Sequence, residues 1–180
     1  MGIYLKDLKE GCCEYPENLK IIDGDSLDAN SPTCDKIIEC KDRYILIEEK
    51  SFLLGFFNSC CKEKGKNLGS YIKDEKLDKS FFDYLDTLSK DEKKRLFAES
   101  IIKLFVSSLN KVSNTTYILT ANFSQGKAKN MPIVYLYCKS GNSPIDKLAT
   151  VLLSKYKIEN RQIIIECEKL EKFLKQKDCI

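Results

Sequence analysis

Two β-branched runs parted by a charged turn constrain this chain more than any other feature. Residues 34–40 read Cys-Asp-Lys-Ile-Ile-Glu-Cys, residues 41–43 Lys-Asp-Arg, and residues 44–50 Tyr-Ile-Leu-Ile-Glu-Glu-Lys. Runs rich in Ile and Tyr on either side of such a turn predict a β-hairpin. A two-residue loop, Lys41-Asp42, sets Glu39 across from Tyr44 and Asp35 across from Glu48. A three-residue loop would pair Asp35 with Glu49 instead. In the first register, strand alternation gathers Asp35, Glu48 and Lys50 on one face, beside Ile37 and Leu46. Ile38, Ile45 and Ile47 take the other face. A hairpin apolar on both faces needs cover on both, so it belongs inside a layered domain with its acids at one rim.

The rest of the chain supplies that cover. Residues 1–33 read as an irregular N-terminal extension, with a short strand at 19–22. A helix is expected to begin near Ser51 and to be broken by 62–70, KEKGKNLGS. A second helix is expected over 75–88. A clearer one spans 90–112, with Ser89 as N-cap, Glu92 closing a capping box and Lys111 in the last turn. Its stripe is Leu96, Phe97, Ile101, Leu104, Phe105 and Leu109. Strands are expected at 117–119, 133–137 and 163–166. Between the first two lies a loop holding Gly126, Lys127 and Lys129. A helix capped by Ser143 runs to Lys157, and a charged helix closes the chain. With 180 residues, this predicts one α/β domain over 1–180, a mixed central sheet flanked by helices. No apolar run reaches membrane-spanning length, so no membrane partner is expected. No signal core opens the chain, so the expected location is cytoplasmic.

Composition excludes several chemistries. The chain has no histidine, which removes imidazole-based acid–base and nucleophilic sites. Nine cysteines, an odd number with two vicinal pairs, read as free thiols in a reducing compartment. CxxC pairs of the kind structural zinc needs are absent. Cys40, Cys138 and Cys167 read as small buried hydrophobes at strand ends. Cys60-Cys61 is a candidate redox pair. The net charge is only +3, so phosphate contact would rest on local clusters. Lys62, Lys64 and Lys66 form one, and Lys127 with Lys129 another; each is a candidate nucleic-acid contact or solvated loop charge.

Two carboxylates opposed on one face repel, and a divalent cation between them reverses the sign. Asp35, Glu48 and the carbonyl of Glu49 are hard oxygen donors suited to Mg²⁺ or Mn²⁺. Lys50 is placed to orient water or to meet charge on a phosphate. This chemistry suits phosphodiester hydrolysis and needs no histidine.

At Pro32-Thr33-Cys34-Asp35 and Glu48-Glu49-Lys50 the pattern resembles the PD-(D/E)xK nuclease superfamily, whose hairpin starts with an acid and ends in (D/E)xK. The resemblance covers residues 32–50. It implies a restriction-endonuclease-like αβββαβ core, a divalent metal and a DNA or RNA substrate. The catalytic set would be Asp35, Glu48 and Lys50. The proline does not directly precede Asp35, and an N-terminal acid would have to come from Glu10, Glu14 or Glu17. The bare (D/E)xK string occurs six times in the chain, starting at Asp7, Glu39, Glu48, Asp74, Asp91 and Glu92. Only the copy at Glu48 ends a β-branched run with an acid one hairpin away. The competing readings are a solvated strand end carrying an ordinary ion pair, and a non-catalytic interaction module, including a degenerate nuclease fold. A homodimer is compatible with either. Asp23-Gly24-Asp25, after an apolar run, resembles the DxD of haloacid-dehalogenase-type phosphatases, with Thr120 as a second motif; the alternative is a plain turn.

Overall fold

The hairpin adopts the two-residue loop. In a computed structural model that describes residues 13–122, 125–128, 131, 133–137 and 162–180, β1 (Ile21–Asp23), β2 (Lys36–Glu39) and β3 (Tyr44–Lys50) form an antiparallel meander. Glu39 pairs with Tyr44 and Lys36 with Ile47. The Cys40 N–H donates to the Arg43 carbonyl at 2.9 Å and closes the loop.

Three helical stretches follow. Ser51 caps α1 (Phe52–Glu63) by accepting the Leu54 N–H. The chain then leaves the helix through Gly65, at φ +65°, a conformation that disfavours a Cβ. The helix expected over 75–88 is shorter. A small hairpin of β4 (Ile72–Lys73) and β5 (Lys76–Leu77) turns through Asp74 and Glu75, both at positive φ. Only then does α2 (Lys79–Thr87) begin, capped by Asp78. The Ser89–Glu92 capping box forms reciprocally, at 2.8 and 3.2 Å.

The third helix corrects a larger expectation. α3 spans Lys90–Asn122, so residues 117–119 are helix and not strand. β-branched Thr115, Thr116 and Ile118 suggest strand locally, but no Gly or Pro intervenes before Gly126. The buried positions Phe97, Ile101, Phe105, Ser108, Thr115 and Leu119, with half-buried Val112 between them, continue one helical stripe. Tertiary burial on that stripe outweighs local propensity. Within the stretch expected as a loop, Gln125–Ala128 form a short helix, α4.

β6 (Ile133–Tyr137) then pairs parallel with β3, and β7 (Gln162–Glu166) parallel with β6. The main sheet has the order β1-β2-β3-β6-β7. α5 (Leu170–Gln176) follows. The expected helix at 143–157 lies outside the described residues, as do Glu10, Cys12, Cys138 and Lys129. The fold among the described residues is mixed α/β.

Each hairpin face finds cover of a different kind. Ile38, Ile45, Ile47 and Val134 pack with Leu170, Phe173 and Leu174 of α5. Ile37, Tyr44 and Leu46 pack with Leu119 of α3 and Met131. A third cluster joins α1, α2 and α3 through Phe52, Phe57, Phe81 and Phe97. No described helix is long and apolar enough to cross a membrane.

The expectation of free thiols is corrected for four cysteines. Cys13 is disulfide-bonded to Cys167, with Cα atoms 5.2 Å apart, and Cys40 to Cys179, with Cα atoms 4.6 Å apart. Both bonds lie on the α5 side, where the terminal segments fold back on the sheet. An odd total in sequence hides such pairs, because each joins residues more than 130 positions apart. Cys34, Cys60 and Cys61 are free and buried.

Candidate active site

β2 begins and β3 ends at the same rim, and the polar groups collect there. Extending the hairpin register one step past Lys36–Ile47 sets Asp35 across from Glu48. Lys50 Nζ lies 2.9 Å from Glu48 Oε2 and 4.0 Å from Asp35 Oδ2. The structure therefore brings Asp35, Glu48 and Lys50 together.

Local main-chain choices hold Asp35 in place. Its Oδ2 accepts the Glu49 N–H at 2.9 Å, a bond that a ladder partner at residue 34 would otherwise make. The Cys34 N–H is diverted to Thr115 Oγ1 at 2.8 Å. Hydrogen-bonded strand residues direct N–H and C=O toward the same neighbour, so the Glu49 carbonyl lies on the side of Asp35. Behind this segment stands Gly24, whose N–H donates to the Asp35 carbonyl at 3.2 Å. A Cβ at Gly24 would sit 1.6 Å from the Cys34 carbonyl oxygen, so only glycine allows this approach. Asp23 caps the turn that follows β1 and pairs with Lys36. Asp23-Gly24-Asp25 is thus a turn buttressing the site segment.

α3 contributes residues that the sequence reading missed. Ser108, Lys111 and Thr115 are spaced by three and four positions, one line on a helix. Lys111 Nζ lies 2.7 Å from Asp35 Oδ1 and 3.5 Å from Glu48 Oε2. Ser108 Oγ donates toward Glu48 Oε2 at 3.2 Å and toward the Leu104 carbonyl at 3.0 Å. Together Ser108, Lys111 and Thr115 form a polar line set within the apolar stripe of α3. In a helix that ends at 112 Lys111 is a helix-end charge; in α3, which runs to Asn122, it lies mid-helix and reaches the hairpin rim.

Electrostatics follow from burial and pairing. Glu48 is fully buried. Burial first, and the Asp35 charge second, push its carboxyl above the ordinary range, against the pull of Lys50 and Lys111. Burial opposes the charge on Lys111. Its hydrogen bond to Asp35 and the charges of Glu48 and Asp35 outweigh that cost and hold the ammonium above the usual lysine value. Two carboxylates meet two ammonium groups, so the cluster is close to neutral. The neighbouring Cys34 thiol is pushed up to about 12 by burial and by the Glu48 charge. It is no nucleophile at neutral pH. Burial likewise raises Cys60, to about 12, and Cys61, so that pair is a buried thiol pair and not an activated one.

The donor set fits a hard divalent cation. Glu48 Oε1 is buried with no hydrogen-bond partner, an orphaned oxygen of the kind a cation satisfies. Lys111 touches both carboxylates, and its two contacts laid end to end keep them within the roughly 8 Å that permits a shared ion with oxygen ligands. The Glu49 side chain takes no part, because alternation turns it to the opposite face, where the Tyr15 hydroxyl donates to Oε1 at 2.7 Å. What Glu49 presents to Asp35 is its main chain. Among the described residues no group of three or more Cys, Asp and Glu side chains is gathered to hold a metal.

The other sequence candidates lie elsewhere. Glu14 lines a cavity of about 420 Å³ with Glu168 and Glu171, on the α5 side. Lys62 is exposed, ten residues past the start of α1 and about 15 Å along its axis. Lys64 Nζ rests 4.3 Å from the centre of the Tyr84 ring. Lys127 pairs with Glu39 at 2.9 Å and with the Cys40 carbonyl at 3.0 Å, at the turn end of the hairpin, opposite the site. Comparison with family models, with curated proteins and with solved structures finds no match to this chain.

Proposed function

We propose that this chain is a metal-dependent phosphodiesterase cleaving DNA or RNA, on a PD-(D/E)xK-like core. One observation carries the reading: Asp35, Glu48 and Lys50 converge in the register that gives them one face, with Glu48 Oε1 unpartnered. The antiparallel meander β1–β3, the helices after it and the parallel strand β6 support an αβββαβ arrangement. Asp35, Glu48 and the Glu49 carbonyl would hold Mg²⁺ or Mn²⁺. Such an ion, when bound, polarises a phosphate oxygen and lowers the pKa of water. Lys50 is buried and fixed by Glu48, so its ammonium offers a preorganised charge to the phosphate and donors to orient water. The Asp35 side chain is 31% exposed, so the site carboxylates are not wholly sealed from solvent.

The test is cleavage of labelled single- and double-stranded DNA and RNA in Mn²⁺, Mg²⁺ or EDTA, with Asp35→Ala and Lys50→Ala beside the wild type. The expected result is metal-dependent cutting lost in both variants. A second reading, a non-catalytic interaction module, is favoured by the charge balance that Lys111 brings to the two acids. Absence of cutting, with no metal binding that depends on Asp35, selects it.

A further inference from the structure

Lys111 bridges Asp35 and Glu48, the two carboxylates that would hold a cation. Its Nζ is 2.7 Å from Asp35 Oδ1 and 3.5 Å from Glu48 Oε2. The two site lysines are not equivalent. The Lys50 side chain is 9% exposed and leaves from the strand beneath the acids. The Lys111 side chain is 27% exposed and arrives from α3, beside the 31% exposed Asp35. One ammonium is nearly sealed in and the other is partly exposed to solvent. A divalent ion entering between the carboxylates meets Lys111 as a like charge at contact range.

We propose that Lys111 is the resident counter-ion of this site. A divalent cation binds tightly once Lys111 is drawn off the carboxylates, and a phosphodiester is the anion that draws it. This rests on the metal-dependent reading above. It makes Lys111 a positioning residue that couples metal entry to substrate entry. Metal alone then binds the wild type weakly, and metal with substrate binds it well.

The test measures Mn²⁺ binding by the loss of the free-ion electron paramagnetic resonance signal, on proteins whose folding is checked by circular dichroism. The proteins are wild type, Lys111→Gln, Lys111→Met, Lys111→Arg, Asp35→Asn and Lys111→Gln combined with Asp35→Asn. Removing the like charge is expected to tighten Mn²⁺ binding by at least about tenfold in Lys111→Gln and Lys111→Met. Lys111→Arg keeps the charge and is expected to bind no tighter than wild type. The combined variant is expected to lose the tight site. A non-hydrolysable phosphorothioate dinucleotide is expected to tighten Mn²⁺ binding in wild type by a larger factor than in Lys111→Gln. Equal Mn²⁺ affinity in wild type, Lys111→Gln and Lys111→Met, lost in Asp35→Asn, overturns the counter-ion proposal and leaves the metal site standing. Equal coupling to the dinucleotide in wild type and Lys111→Gln overturns the role given to substrate. Mn²⁺ binding that depends on Asp35 in no background overturns both this proposal and the metal-dependent reading.

Discussion

Glu48 and Glu49 are consecutive, chemically identical and both buried, yet they belong to different parts of the molecule. Glu48 faces α3 and meets Lys50, Lys111 and Ser108. Glu49 faces the α5 side and meets the Tyr15 hydroxyl, with Oε2 unpartnered. On the α3 side a polar line of one helix delivers charge to the sheet rim. On the α5 side the sheet carries apolar side chains and the two disulfides. Strand alternation alone decides which carboxylate shares a site with Asp35. The acids and lysines of the motif thus gather on one face, and the other face holds the sheet.

That contrast breaks at defined points. Lys50→Met removes the ammonium nearest a fully buried carboxylate and is expected to cost about 3–5 kcal/mol in urea unfolding. Breaking the Cys40–Cys179 disulfide, by Cys40→Ser with Cys179→Ser, acts on the other face. It closes a loop with a sequence separation of 139, and its loss is expected to cost about 2–4 kcal/mol. Peptide mapping without reductant checks the pairing itself, and should recover Cys13 with Cys167 and Cys40 with Cys179. Tyr15→Phe removes the hydroxyl from Glu49 and is expected to cost about 1–2 kcal/mol.

The smallest effect is in pH. The Glu48 carboxyl lies above its ordinary 4.5, so the native state binds more protons than the unfolded chain just above that pH. The contribution of Glu48 to stability therefore falls as pH rises through its raised pKa, and no penalty remains below 4.5. Asp78, drawn down to about 2 by its hydrogen bonds with Ser80 and Lys73, has the opposite sign. Its contribution is present above 3.8 and is lost as pH falls toward 2. Carboxyl-carbon nuclear magnetic resonance titration checks both directions. Lys50→Met should raise the Glu48 value further, because Lys50 holds it down in the wild type.

How legible this was in sequence depended on range. The hairpin register, the face shared by Asp35, Glu48 and Lys50, and the Ser89–Glu92 cap follow from local pattern, and the structure has them. Lys111 was not legible, because its role needs α3 to run past 112 and to lie across the hairpin rim. Propensity over Thr115–Leu119 pointed the other way. The short hairpin at Asp74-Glu75 lacked the glycine or asparagine that marks such turns. The disulfides join opposite ends of the chain, a relation that spacing does not carry.

The most direct test of the contrast is a paired one. Metal-dependent cleavage is measured for Glu48→Gln and Glu49→Gln, two isosteric changes one residue apart. A loss of at least about 100-fold is expected for Glu48→Gln, and a rate within about threefold of wild type for Glu49→Gln, whose side chain lies on the far face. Equal loss in both, equal retention in both, or no cleavage by the wild type with either metal would contradict this expectation.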